Sequence, residues 1–256
     1  MATSQEGLMN GVISWITASE HWTGEDGVPN RLLEHLQYSF TAVVIAALIG
    51  IPLGLYIGHT GRGRFVVVNL VGAIRAIPSL GLLFVSVLLL GPRLDGDAAF
   101  LVPSEIVLVV LAVPPILAGA YAGVEEVDPA ARDAAKGMGM RGTEVLAKVE
   151  LPCALPLIFS GLRSGTLQVV ATATIAATAG MGGLGRFLID GLAVRDYTQM
   201  AAGAVLVAAL ALIVDLVFAL VQRYVVSPGL TGRVGRASRS RNRRAGAAAA
   251  ALQPAP

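Results

Sequence analysis

The feature that most limits how this chain can fold is a set of long apolar stretches without any charged residue. Five segments contain no Asp, Glu, Lys or Arg: 35–61, 76–92, 106–124, 164–185 and 197–214. They are apolar throughout rather than alternating, and a helix of about 20 apolar residues crosses roughly 30 Å of hydrocarbon. The pattern predicts an all-α, polytopic membrane protein and excludes a transmembrane β-barrel, whose strands alternate.

Extending these stretches to their polar flanks predicts five membrane spans, near 37–58, 65–90, 101–122, 158–180 and 199–222. The composition agrees with this reading. Only 14% of the 256 residues are charged and 55% are hydrophobic, whereas a soluble domain has about 25% charged residues. Arg75, Glu105 and Asp215 lie in or near the spans, where an ionisable group is costly enough to be a functional candidate.

Basic residues are distributed unevenly between the two sides of this arrangement. Segments 59–64, 123–157 and 223–256 hold 13 of the 19 Lys and Arg, and the opposite loops hold four. Because cytoplasmic loops carry the excess of basic residues, we expect the N-terminus outside the membrane and the C-terminus in the cytoplasm.

The two ends of the chain differ from the central 37–222 region. Residues 1–36 carry Leu8, Val12 and Ile16 at helical spacing, which favours an external interfacial helix; a leader without fixed structure is the alternative. Residues 223–256 include six Arg and no acid from 233 onward. We expect this segment to be a disordered basic tail resting on anionic cytoplasmic lipid.

The fourth span carries small polar side chains on one face. Ser164, Gln168 and Thr172 recur every four residues, and two interpretations stay open: a lined translocation path, or hydrogen bonds between packed helices. Arg75, just before an expected helix break at Pro78, is a further candidate for the path. Glycines at four-residue spacing predict close helix packing, namely Gly50, Gly54 and Gly58, Gly119 and Gly123, and Gly161 and Gly165.

The segment 123–157 is long for a loop in so small a membrane protein, and it is patterned. Asp128 followed by Pro129 predicts the start of a helix, which glycines would end at 137–139. Thr143 predicts a second short helix, which Pro152 would end. Such a helix-turn-helix on the cytoplasmic face fits a groove on another protein.

The same segment carries a motif with characteristic spacing. It contains Asp133-Ala134-Ala135, then Gly139 after three residues, and Val149-Glu150-Leu151-Pro152 after nine more. This resembles the EAA loop of the permease subunits of binding-protein-dependent ABC importers, which reads Glu-Ala-Ala, three residues, Gly, nine residues, Ile-x-Leu-Pro. Asp133 and Val149 replace the family's Glu and Ile. The resemblance implies the type I ABC importer permease fold, with contact to an ATPase at Asp133, Ala134, Ala135, Gly139, Val149, Leu151 and Pro152.

Three further stretches are similar to permeases for quaternary-ammonium osmoprotectants: Arg75-Ala-Ile-Pro78-Ser-Leu, Glu126-Val-Asp-Pro129 and Gly180-Met-Gly-Gly-Leu-Gly185-Arg-Phe. Glycine betaine, choline, carnitine and proline betaine are substrates of that subgroup. The resemblance covers about residues 30–230 and implies a multi-pass protein of a bacterial or archaeal plasma (inner) membrane. It also implies two ABC ATPase subunits, a second permease copy or paralogue, and an extracytoplasmic substrate-binding protein as partners.

Other classes of function find little support in the residues. The chain has no Gly-x-x-x-x-Gly-Lys-Ser/Thr motif, so ATP hydrolysis would need a separate polypeptide. One cysteine and three scattered histidines predict no metal site, no cofactor and no catalytic base, and a net charge of +2 predicts no nucleic-acid partner. His59, next to Gly58, is interpreted as a solvated turn residue.

Two alternatives to an osmoprotectant importer stay open from sequence. One is a permease for another small solute such as methionine, because such relatives share the loop. The other is an ATP-independent channel or secondary transporter, which would not bind an ATPase.

Overall fold

The structure, a computed structural model, describes residues 2–225, and most of the predicted basic tail lies outside this range. The described part is helical and contains no strand. A π-helical segment, Leu146–Glu150, joins α7 to α8. The α-helices are α1 (Ala2–Thr17), α2 (Val28–Thr60), α3 (Arg64–Ala76), α4 (Ser79–Leu90), α5 (Ala98–Glu125), α6 (Pro129–Gly137), α7 (Gly142–Val145), α8 (Leu151–Ala176), α9 (Gly185–Val194) and α10 (Tyr197–Val225).

The centre of the fold is α5, which lies between α2 and α8 at very short backbone distances. A Cβ added to Gly54 of α2 would lie 2.7 Å from the Ala120 Cβ of α5. On the other side, a Cβ on Gly119 would lie 2.6 Å from the Leu157 carbonyl oxygen of α8. The predicted role of the glycine spacing in helix packing is therefore confirmed, because even a methyl group would not fit at these crossings.

The largest buried cluster surrounds α5. Leu108, Ala112 and Ile116 of α5 have no exposed surface, and they pack with Ala46 of α2 and Val169 of α8. Because α5 is enclosed, all three of its prolines, Pro103, Pro114 and Pro115, are buried as well.

Four helical stretches are long and apolar enough to cross a membrane: 28–60, 98–125, 142–179 and 197–225. The predicted second span, 65–90, is instead two helices, α3 and α4. The chain is extended at Ile77 (ψ 128°) and Pro78 (ψ 116°) between them. The expected break is thus present. Its cause is that Pro78 cannot donate a backbone hydrogen bond and disfavours helical geometry at the residue before it.

The second helix of the patterned loop differs from the sequence expectation at both ends. It begins at Gly142, and the backbone N–H of Arg141 donates to the Glu144 carboxylate at 3.0 Å, so Thr143 is not its cap. Pro152 does not end it either, since the chain continues through the π-helical segment into α8. There the Leu151 N–H donates to the carbonyl of Leu146, five residues earlier. This wider turn accommodates a proline that a regular α-helix interior would reject.

The N-terminal helix α1 packs on the rest of the chain. Trp15 stacks on His21 with ring centroids 4.0 Å apart and meets Phe187 of α9 edge-on at 5.2 Å. The same cluster includes Val28 of α2 and Ala202 of α10. Val12 and Ile16 of the predicted apolar stripe pack partly buried against this cluster, so at these residues the stripe contacts protein.

A matched pair of glycines tests the packing account. Gly119→Ala should lower the free energy of unfolding by about 1–3 kcal/mol, because the new methyl overlaps the α8 backbone. Gly72→Ala is the control, since Gly72 is also helical but has no atom within 4 Å of the added Cβ. Thermal unfolding of the purified chain in detergent, followed by tryptophan fluorescence, makes the comparison. Equal midpoints for the two variants would contradict the account.

Candidate functional site

The motif-bearing element consists of α6, a tight turn and α7. The Asp128 carboxylate accepts a hydrogen bond from the Ala130 N–H at 2.9 Å, and Pro129 is the first helical residue. The predicted helix start is therefore confirmed. Gly139 has a φ of +87°, a conformation that L side chains rarely adopt, so glycine is required to reverse the chain between the two helices.

This element has an anchored face and an open face. Ala135 is 1% exposed, and Val127 and Val145 are also buried against the protein. In contrast, the Asp133 side chain is 79% exposed, and an added Cβ on Gly139 would meet no atom within 4 Å. The first half of the motif therefore offers an acidic side chain and bare backbone to a partner, while its second alanine fixes the element to the core.

The second half of the motif lies at the base of α8. Leu151 packs partly buried against the cluster of Ala120, Val124 and Ala154. Val149 is partly buried and Pro152 is exposed. These residues continue directly into the membrane-spanning helix, so a displacement of the element would be transmitted to α8.

A buried carboxylate holds the element in place. Glu150, only 2% exposed, has one oxygen 2.6 Å from His59 Nδ1 and the other 3.0 Å from Arg132 Nε. Arg132 also donates a hydrogen bond to the Val124 carbonyl at the end of α5. The Glu150 cluster, defined as Glu150, His59 and Arg132, thus joins α6, the end of α2 and the root of α8. A carboxylate this buried is tolerated because both of its oxygens have cationic or hydrogen-bonding partners.

This cluster was not predicted from the sequence. The interpretation of His59 as a solvated turn residue is wrong, because its ring contacts Glu150. Arg132 was counted only as a basic loop residue, and Glu150 stands at the variable position of the motif. The sequence feature that could have indicated the cluster is the position of Glu150 among Val149, Leu151, Pro152 and Cys153. A charged side chain in an apolar run needs a partner when it is buried.

The second set of predicted residues meets at an open cavity beside the α3–α4 break, where Ser164 and Gln168 are exposed. Ser164 and Gln168 of α8 line a cavity of about 450 Å³ together with residues of the α3–α4 break and of α5. Those lining residues are Ile74, Ile77, Ser79, Leu111 and Pro115. Arg75 follows Ile74 in α3, and its side chain is outside the part of the structure that is described.

Thr172 lies apart from the cavity. It is buried, and its hydroxyl donates to the Gln168 carbonyl at 2.8 Å. The Gln168 side-chain amide in turn approaches the Thr172 hydroxyl at 3.4 Å. Of the three polar residues predicted on one face of the fourth span, Ser164 and Gln168 therefore line the cavity. Thr172 does not, but it forms hydrogen bonds with Gln168 within α8.

Charged groups within the spans behave in two ways. Arg163 of α8 and Asp215 of α10 form a bidentate pair at 2.5 and 2.6 Å, which fastens α10 to the core. Glu105 of α5 is different. Both of its carboxyl oxygens are buried without a hydrogen-bond partner among the described residues.

Comparisons with known proteins agree with this architecture. The chain is 36% identical to the glycine betaine/carnitine/choline transport system permease protein OpuCB of Bacillus subtilis, over 78% of this chain and 88% of that protein. It is 33% identical to the choline transport system permease protein OpuBB of the same organism, over 78% and 89%. A solved structure of the MetNI methionine ABC transporter in inward-facing conformations is similar in fold, with a TM-score of 0.67 at 23% identity. That match covers 76% of this chain and 94% of the other.

The region matched by the family model contains the residues that line the cavity and the α6–α7 element. That family is described as a binding-protein-dependent transport system inner membrane component, and the match covers residues 50–227. That range begins within α2 and includes the EAA-like motif, the α3–α4 break and α10. The chain is a multi-pass membrane protein that belongs to the family of binding-protein-dependent transport system inner membrane components.

Proposed function

We propose that this chain is the permease subunit of an ATP-driven importer for quaternary-ammonium osmoprotectants such as glycine betaine, choline, carnitine or proline betaine. The observation that carries the proposal is the α6–α7 element, whose open face is suited to a partner and whose other face is locked to the transport core by the Glu150 cluster. The substrate class is supported by relatives of 36% and 33% identity that are named as permeases for such compounds.

The partners follow from the same arrangement. Two ABC ATPase subunits would each receive one α6–α7 element in a surface cleft, and a second permease copy or paralogue would complete the membrane body. A substrate-binding protein would deliver solute on the outer face. This arrangement would put the α6–α7 element in the cytoplasm and the start of α2 outside, and the excess of Lys and Arg on the side of α6 and α7 supports that orientation. ATP hydrolysis would belong to the separate subunits.

The proposed mechanism uses rigid-body motion. When the ATPases close on ATP, they draw the two elements together, and the Glu150 cluster carries that displacement into α2, α5 and α8. Because these helices are in backbone contact at glycines, they move together rather than bend separately. The cavity beside the α3–α4 break would then open alternately to the two sides of the membrane.

We place the translocation path along that cavity. Ser164 and Gln168 would present polar atoms to the passing solute, and Thr172 would hold Gln168 in position. Arg75, next to the break, would contribute to the same path. Neutral polar groups suit a path that must bind solute weakly enough to release it.

Uptake by the reconstituted complex tests the function as a whole. The complex of permease, ATPase and binding protein should import radiolabelled glycine betaine only with ATP, and excess choline or carnitine should compete. Competition by methionine alone would assign a different solute. Uptake without ATP, from a permease that does not co-purify with an ATPase, would contradict the importer proposal.

Gly139→Val tests the open face of the element. Valine at a φ of +87° costs about 1–2 kcal/mol of backbone strain and fills the surface meant for the ATPase. We expect transport to fall strongly while ATP hydrolysis by the complex persists. Gly24→Val is the matched control. Gly24 has a φ of +85° and equally open surroundings, but it precedes the start of α2, at the end of the helical core opposite α6 and α7. Equal loss of transport in both variants would show that strain alone is responsible.

Glu150→Gln tests the anchored face. The substitution keeps the shape of the side chain but leaves Arg132 and His59 without the carboxylate, at a cost of about 2–3 kcal/mol. Hydrogen exchange of residues 129–145 should become faster, and coupling of transport to ATP hydrolysis should weaken. Glu144→Gln serves as the control, because Glu144 is 42% exposed, pairs with the exposed Lys148, and as glutamine would still accept the hydrogen bond from the Arg141 N–H. Unchanged exchange in Glu150→Gln would refute the anchoring role.

A further inference from the structure

A polar pocket of about 380 Å³ lies at the end of the helical core opposite α6 and α7. It is lined by the first turns of α2 and α5 and by the loop that follows α8, including Gly180 and Gly182. The Glu150 cluster lies at the other ends of these helices, near the end of α2, the end of α5 and the start of α8. Under the proposed orientation this pocket faces the outside of the membrane.

The pocket contains charges of both signs. Arg31 and Arg186 contribute two cations, whose guanidinium groups also pair with Asp26 and Asp190 beyond the lining, and Glu34 and Asp97 contribute two carboxylates. Glu34 is fixed in orientation, because it accepts hydrogen bonds from the Gly183 N–H at 2.8 Å and from Arg31 at 2.9 Å. Asp97 is exposed and forms no ion pair within residues 2–225. The lining is therefore formally neutral but strongly polar.

Two aromatic side chains complete the lining. Tyr38 of α2 and Phe100 of α5 border the same space. Phe100 is 48% exposed and lies against Gly180, where an added Cβ would be 3.4 Å from its Cγ. An exposed aromatic face beside a carboxylate attracts alkylated ammonium groups.

An unpaired carboxyl group lies one helical turn below the pocket. Glu105 follows the lining residue Leu101 by four residues on α5, so both lie on the same face of the helix. Both carboxyl oxygens of Glu105 lack a partner among the described residues. Glu105 is not itself a lining residue, so the carboxylates that can attract a cation into the pocket are Glu34 and Asp97.

We infer that this pocket is a loading site for a small zwitterion that bears a quaternary ammonium and a carboxylate. The methylated ammonium would lie against Phe100 and Tyr38 near Asp97, and the carboxylate would be held by the guanidinium of Arg186. A volume of about 380 Å³ is at the small end of the range for ligand sites. The inference rests on the proposed function and adds a place where the permease itself contacts solute before it enters the path.

Equilibrium binding to the permease–ATPase complex in nanodiscs, without the binding protein, tests the site. Radiolabelled glycine betaine and choline are the two probes, because choline has the ammonium group but no carboxylate. Phe100→Leu should weaken the binding of both roughly tenfold. Arg186→Gln should weaken glycine betaine by a similar factor and leave choline unchanged. Phe65→Leu is the matched control, since Phe65 is 81% exposed on α3, away from the pocket.

The outcomes separate the site from the function. If the wild-type complex imports glycine betaine, yet shows no saturable binding or binds equally well in Phe100→Leu and Arg186→Gln, the loading site is refuted and the importer proposal stands. An equal loss of both probes in Arg186→Gln would also refute the assigned carboxylate contact. If the full complex imports neither probe, the proposed function fails and the site fails with it.

Discussion

The close approach of three helices is the constraint on which the rest of the structure depends. Apolar side chains gain little by leaving lipid for a protein interior, so helices in a membrane associate through fine packing. Here α2, α5 and α8 meet at glycines whose added Cβ atoms would overlap neighbouring backbone. The result is a core with little freedom to bend, and the features at its two ends are therefore mechanically connected.

At one end of that core, the residues of the EAA-like motif differ in burial. Ala135 is buried and locates α6, whereas Asp133, Ala134 and Gly139 remain open. Leu151 belongs to the packed root of α8. The Glu150 cluster joins these parts, so in the proposed mechanism the exposed surface would move together with the core. At the other end, the Glu34 contact with Gly183 holds the loop after α8 against α2, so the polar pocket is also built on the rigid helices.

The elements that depend on local sequence were predictable. The uncharged runs indicated the membrane spans, and the glycine spacing indicated which helices pack closely. Asp128 and Pro129 marked the start of α6. The elements that depend on distant partners were not. His59 and Glu150 are 91 residues apart in sequence, and nothing near His59 indicates the pairing. Pro152 was expected to end a helix, but the π-helical turn before it changes the hydrogen-bond register, which residue preferences alone do not reveal. The different roles of Gln168 and Thr172 likewise depend on where α3 and α5 lie.

The central claim is that the open face of α6 and its turn contacts an ATPase in the cytoplasm. Cross-linking measures this directly. The free, exposed Cys153 is first replaced by serine, and cysteine is then introduced as Asp133→Cys or, at the opposite end, Asp26→Cys, at side chains that are 79% and 88% exposed. The account predicts that a short thiol cross-linker joins position 133, and not position 26, to the ATPase subunit in intact membranes. Labelling of position 133 by a membrane-impermeant thiol reagent from the outer side, or cross-linking at position 26 alone, would contradict it.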